Sequence, residues 1–182
     1  MGLDMYLSKK NYIGNKWKKP SQLVKVVVPK IEKETTPEID NKRISEITEE
    51  MGYWRKANAI HNWFVQKVQY GKDDCKEHYV EREKLEELLN IVNKVLESSE
   101  LVVGKIKNGS KSENGIMVDI IEDGKYIKDP KVAMELLPTT QGFFFGNLDY
   151  NEFYYRGLEE TKKILEGALK EKVGDFYYNS SW

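Results

Sequence analysis

Glu49-Glu-Met-Gly-Tyr-Trp-Arg-Lys-Ala-Asn-Ala-Ile-His-Asn-Trp-Phe-Val-Gln-Lys-Val68 is the stretch on which the reading of the fold turns. At about 100° per residue, Tyr53, Ala57, Ile60, Phe64 and Val68 fall within roughly one third of a helical circumference, which predicts one amphipathic helix over 49–68 with that stripe in the core. Ser45, Thr48 and Glu49 offer capping chemistry at its start, and Gly71 offers a stop. Beside the stripe, Trp54, Asn58, His61 and Val65 follow at spacings of four, three and four and form a second row. Lys56, Trp63 and Lys67 lie on the other side, and Arg55 points outward. Burial accounts for the first stripe. The second row brings a flat aromatic, an amide and an imidazole beside cations, the groups that stack on a ring, read its edge and neutralise a phosphate.

Upstream, Leu3, Met5 and Leu7 alternate with Asp4, Tyr6 and Ser8, the period of a strand with one buried face. Tyr12 to Pro20 reads as a loop, Leu23 to Val28 as a second, β-branched strand stopped by Pro29, and Lys30 to Lys42 as a connector. Downstream of a polar loop at Lys72 to Lys76, His78 to Val80 is a short strand. Glu83 to Leu96 repeats leucine and valine at helical spacing. Leu101 to Ile127 alternates in two runs around a loose tip, Asn108 to Gly115, and reads as an inserted hairpin. Val132 to Leu137 is a short helix, Gly142 to Gly146 a buried strand, Tyr150 to Lys170 a long helix, and Asp175 to Trp182 a closing aromatic strand docked beside the first. The expected fold is α+β: a single domain over 1–182 with a small, mostly antiparallel sheet, three main helices and a long hairpin.

Composition narrows the function classes. Among 182 residues, 40% are hydrophobic, and 29 basic side chains nearly cancel 30 acidic ones. No global field favours an extended nucleic acid or an anionic membrane, so any anion site is local. No apolar run reaches the roughly 18 residues of a membrane span. A single cysteine, Cys75, fits a reducing compartment, and the start of the chain lacks a secretory pattern. The expectation is a cytoplasmic protein.

Other clusters carry weaker signals. Asp73, Asp74, Cys75 and His78 include metal-ligating types, but they mix hard and soft ligands, and adjacent aspartates rarely converge on one ion. No metal and no cofactor are expected. Cys75 with His61 and Asp73 or Asp74 has the composition of a nucleophile, base and orienting acid. The three phenylalanines of Gly142 to Gly146 exclude a phosphate nest, although the flanking glycines would let the backbone approach a ligand. Asp149, Tyr150, Glu152, Tyr154 and Tyr155 open a helix whose first turn favours acids.

Gly2-Leu-Asp-Met-Tyr-Leu7, Tyr53 to Phe64, Asp73-Asp-Cys75, Glu135-Leu-Leu-Pro-Thr139, Gly142-Phe-Phe-Phe-Gly146 and Tyr177-Tyr-Asn-Ser-Ser-Trp182 together resemble an uncharacterised family of phage and prophage proteins. That resemblance implies an accessory role in an infected or lysogenic bacterial host, and brings no reaction with it. The leading expectation is a protein that binds a small, anionic, nucleotide-like ligand without chemistry, as counter-defence proteins sequester immune signals. Trp54 with Phe143, Phe145 or Tyr155 would stack the ligand, Asn58 and His61 would bond it, Arg55 or Lys56 would meet phosphate, and Tyr178, Ser180 and Trp182 would close the site. One alternative is a nucleotide-directed hydrolase or transferase using His61, Cys75 and Asp73 or Asp74. Another is a protein-binding inhibitor of a host factor, working through an exposed helix face. A homo-oligomer is open in each case.

Overall fold

The alternation at the N-terminus builds the first strand, β1 (Asp4–Tyr12), in the computed structural model, which describes residues 2–29, 38–142 and 145–182. Leu3, Met5 and Leu7 are fully buried, while Asp4, Tyr6 and Ser8 face the other way. β1 pairs on one side with β2 (Glu46–Arg55) and on the other with the closing strand β6 (Asp175–Ser181), which in turn pairs with β3 (His78–Val80). All pairings are antiparallel, in the order β2-β1-β6-β3. The fold is α+β, and the docking of the chain end beside the first strand is as expected.

The predicted helix over 49–68 is divided. Its first part is β2, and the helix α1 occupies only Asn58–Lys67. Aromatic residues at Tyr53 and Trp54 satisfy a strand period: Tyr53 is 42% exposed, bonds Asp4 and lies 5.3 Å from Tyr6, whereas Trp54 is buried opposite Met5. Backbone pairing with β1 overrides the helical stripe, so Tyr53 leaves the core and Trp54 enters it. Capping at Ser45 to Glu49 falls away with it, since the strand begins at Glu46.

Leu23 to Val28 forms no strand. Extended chain there is held by side-chain amides instead of a ladder: Asn15 Nδ2 donates to Val24 O (2.7 Å), Asn15 Oδ1 accepts from Val24 N (3.1 Å), and Asn41 Oδ1 accepts from Val26 N (2.7 Å). Lys30 to Pro37 of the expected connector lies outside the described residues.

Helices α2 (Arg82–Ser98) and α4 (Glu152–Lys170) present Leu85, Leu88, Val92 and Val95, and Leu158, Leu165 and Ala168, to a common core. At Gly52 a Cβ would run into Ile164 of α4, so the missing side chain lets the helix approach the strand. The hairpin β4 (Leu101–Glu113) and β5 (Ile116–Ile127) is more regular than expected: Asn108 to Glu113 belongs to the strand apart from an irregularity at 107–110, and the turn is only Asn114 and Gly115. Ile127 N donates to Tyr150 O (2.8 Å), anchoring its base near the start of α4. The short helix α3 (Lys131–Leu136) follows. Of the expected strand 142–146, Phe143 and Phe144 lie outside the described residues; Gly142, Phe145 and Gly146 are not in a strand, although Phe145 is buried.

Phe64 of α1 stacks on Tyr178 of β6 with ring centroids 4.0 Å apart and planes at 6°. Both rings are fully buried, so this stack ties α1 to the sheet. Phe64→Ala is expected to cost about 3–5 kcal/mol of stability, measured by urea unfolding.

Candidate functional site

The second row of the sequence reading is parted by the structure into two places. One is a buried relay. His61, 1% exposed on α1, lies 2.8 Å from Tyr178 Oη through Nδ1 and 2.9 Å from Asp73 Oδ2 through Nε2. An ionised carboxylate can only accept, which assigns the imidazole proton to Nε2 and makes the Tyr178 hydroxyl the donor to Nδ1. Burial, followed by the negative charge of Asp73, pushes the Tyr178 hydroxyl well above its ordinary pKa and favours that neutral donor. Trp182 Nε1 donates to the other oxygen of Asp73 at 3.2 Å, and Phe145 sets its ring edgewise to His61 at 5.0 Å and to Trp182 at 6.1 Å. The relay pins the 72–76 loop and the chain end onto α1.

With both nitrogens engaged, His61 offers nothing to Cys75, whose thiol is exposed. Asp73 and Asp74 turn apart: Asp74 Oδ1 lies 2.9 Å from His78 Nε2 and accepts from Lys76 N at 3.2 Å. Among the described residues no three of His, Cys, Asp and Glu converge as a metal would require. Tyr178 has the opposite of an activated nucleophile's environment.

The other place is a groove of about 1020 Å³ between the β2–α1 corner, the hairpin, the 139–151 loop and the start of α4. Trp54, Arg55, Lys56 and Asn58 line it; His61, Phe145, Tyr155, Tyr178, Ser180 and Trp182 do not. Two of the four residues on its wall serve the fold. Trp54 Nε1 donates to Thr161 Oγ1 (2.9 Å), and the ring is 1% exposed, which leaves no face for stacking. Asn58 spends its amide on the 139–147 loop: Nδ2 donates to Phe145 O (3.2 Å) and Asn147 O (2.9 Å), and Oδ1 accepts from Thr140 N (3.1 Å). Asn58 is thus the clamp that shapes the groove wall.

Arg55 and Lys56 are exposed at its rim. Arg55 Nε is 4.0 Å from Asp4 Oδ1, and Lys56 has no ion pair among the described residues. Lys56 adopts φ 58, a left-handed conformation uncommon for a residue with a side chain. Gly146, with φ 98, allows the loop to close on it, since a Cβ there would lie 3.1 Å from Lys56 Cβ. Immediately afterwards α1 begins without a side-chain cap at Ala57, and the amides of Asn58, Ala59 and Ile60 have no partner among the described residues. All of these residues line the groove. Bare amides and the positive end of a helix dipole favour an anion.

Of the groups singled out in the sequence, Gly142, Gly146, Asp149 and Tyr154 also line the groove, while Lys107 and Ser110 from the hairpin, Asn147 and Asn151 from the loop, and Arg156 from α4 were not foreseen. For Lys107 and Ser110 the nearest local signal was the polar Asn108 to Gly115 cluster, and it was read as a loose tip. Four cations, Arg55, Lys56, Lys107 and Arg156, face two acids, Asp149 and Glu160. Lys107 is already paired with Asp119 at 2.7 Å, and Arg156 lies 3.7 Å from Glu152 and over the Phe153 ring at 5.5 Å. The freest charge is therefore at Lys56.

No family model matches the chain, and neither does any curated protein or solved structure. Among the described residues no helix is long and apolar enough to cross a membrane.

Tyr178→Phe leaves His61 Nδ1 buried without a partner and should cost about 1–3 kcal/mol in chemical denaturation. The hydrogen bond with His78 holds the Asp74 carboxyl below its ordinary value of 3.8. A depressed carboxyl contributes stability that is complete above the ordinary value and vanishes as pH falls through the folded one. Wild type should therefore melt above Asp74→Asn at pH 6, with the gap closing as pH is taken below 3.8.

Proposed function

We propose that the protein binds a small anionic, nucleotide-like ligand in the groove, with its anionic group between Lys56 and the first turn of α1. The observation that carries this reading is the coincidence on one wall of a lysine without an ion pair among the described residues and a helix start without a side-chain cap. The fold uses the Lys56 backbone to turn the chain but makes no ion pair with its ammonium among the described residues, and the first amides of α1 have no partner there either. A bound anionic group would give both a partner. In the phage setting that the family resemblance implies, such a protein would sequester a nucleotide signal of its host.

Calorimetric titration with cyclic dinucleotides, ADP-ribose and nucleoside monophosphates tests this, alongside mass spectrometry of small molecules released from the purified protein. Lys56→Gly is the informative variant, because glycine accepts the left-handed backbone while the charge is lost. Stability should rise by up to about 1 kcal/mol and affinity should fall at least tenfold. Absence of heat from every nucleotide, with no small molecule released, would overturn the proposal.

A further inference from the structure

Asn151 is 1% exposed and caps α4: its Oδ1 accepts from Phe153 N at 2.9 Å and Tyr154 N at 3.4 Å. Capping fixes which branch of the amide is which, because a flipped amide would offer donors to donors. Nδ2 is therefore directed away from those amides, and it has no hydrogen-bond partner among the described residues. Aspartate or serine would cap the helix equally well without burying an unpaired donor. Capping explains the oxygen of this side chain and leaves its nitrogen unexplained.

The surroundings supply a reason. Asn151 lines the groove and also an adjoining cavity of about 440 Å³, in which Tyr126 and Tyr150 stand. Phe153 and Tyr154 stand beside it on the groove side. A donor among flat aromatic surfaces is the equipment that recognises an acceptor on a planar ring.

We infer that Asn151 is the residue that selects the ligand, donating from Nδ2 to a carbonyl oxygen or ring nitrogen of its base; this rests on the anionic site proposed at Lys56. The ligand class is a nucleotide, and phosphorylated sugars lacking a base are discriminated against. A site whose donor has no other partner rejects a molecule without the acceptor far more strongly than apolar contact alone can.

Titration of uridine and adenosine 5′-monophosphates, cyclic di-adenosine monophosphate and ribose 5-phosphate into wild type, Asn151→Ser and Asn151→Asp tests the inference. Both variants keep an acceptor for the cap, and their unfolding midpoints should equal or exceed that of wild type. Wild type should bind at least one of the three nucleotides at least tenfold more tightly than ribose 5-phosphate, and both variants should lose that preference. Both variants should lose it through weaker binding of the nucleotides rather than tighter binding of ribose 5-phosphate. A preference that survives in the variants, or one that wild type never shows, overturns the role of Asn151 and leaves the anionic site standing. No binding of these four probes or of ADP-ribose by wild type, with no small molecule released from the purified protein, overturns the anionic site itself.

Discussion

Lys56 stands with φ 58 between a strand and a helix, and its amide donates to Leu3 O at 2.8 Å. That one left-handed residue turns the chain out of the sheet and starts α1 across it. Without the turn, Ile60 and Phe64 would not reach the core face that Leu3, Met5 and Leu7 present. The same turn leaves α1 starting at the edge of the groove, where its first amides are bare. A strained corner that shapes the core and the site together explains why strain is tolerated there: the packing of both elements over-determines it.

Legibility in the sequence followed the range of the interactions involved. Strands β1, β3 and β6 and helices α2 and α4 were readable because their periods are local and their burial agrees with propensity. The stretch 49–68 was misread because two periods share it. Gly52-Tyr-Trp alternates across a sheet and Ala57 to Val68 winds around a helix, yet Tyr53 to Val68 also satisfies a single helical stripe. Only the long-range pairing Met5 with Trp54 and Tyr6 with Tyr53 decides between them. Leu23 to Val28 failed for a related reason, since a β-branched run specifies extended backbone but not its partner. There the partner is a pair of asparagine side chains.

The candidate site was legible in residue type more than in arrangement. Arg55 and Lys56 do stand at the rim of a groove. Trp54 and Asn58 reach its wall but are consumed by Thr161 and by the 139–147 loop. His61 belongs to a different place altogether, joined to residues 12 and 117 positions away in the chain. No spacing rule within one helix could separate these roles, because each is set by what another segment brings opposite. Asn151 and Lys107 escaped for the same reason: each is ordinary in its own element and becomes notable only where the hairpin meets α4.

An unpartnered polar atom is not by itself the mark of a site in this protein. Trp63, Gln69, Asn93 and Ser180 also hold buried atoms without partners among the described residues, and none of them lines either cavity. A buried water can satisfy such atoms wherever two or more polar groups face a small void. Asn151 differs in having open volume beside it, aromatic walls around it and a cationic helix start on the same groove. The contrast with the relay is equally telling. At His61, which lines neither cavity, both nitrogens are satisfied from two distant segments. The groove leaves a lysine, a helix start and an amide without partners among the described residues, and the proposed ligand, an anion with an acceptor-bearing ring, would satisfy all three.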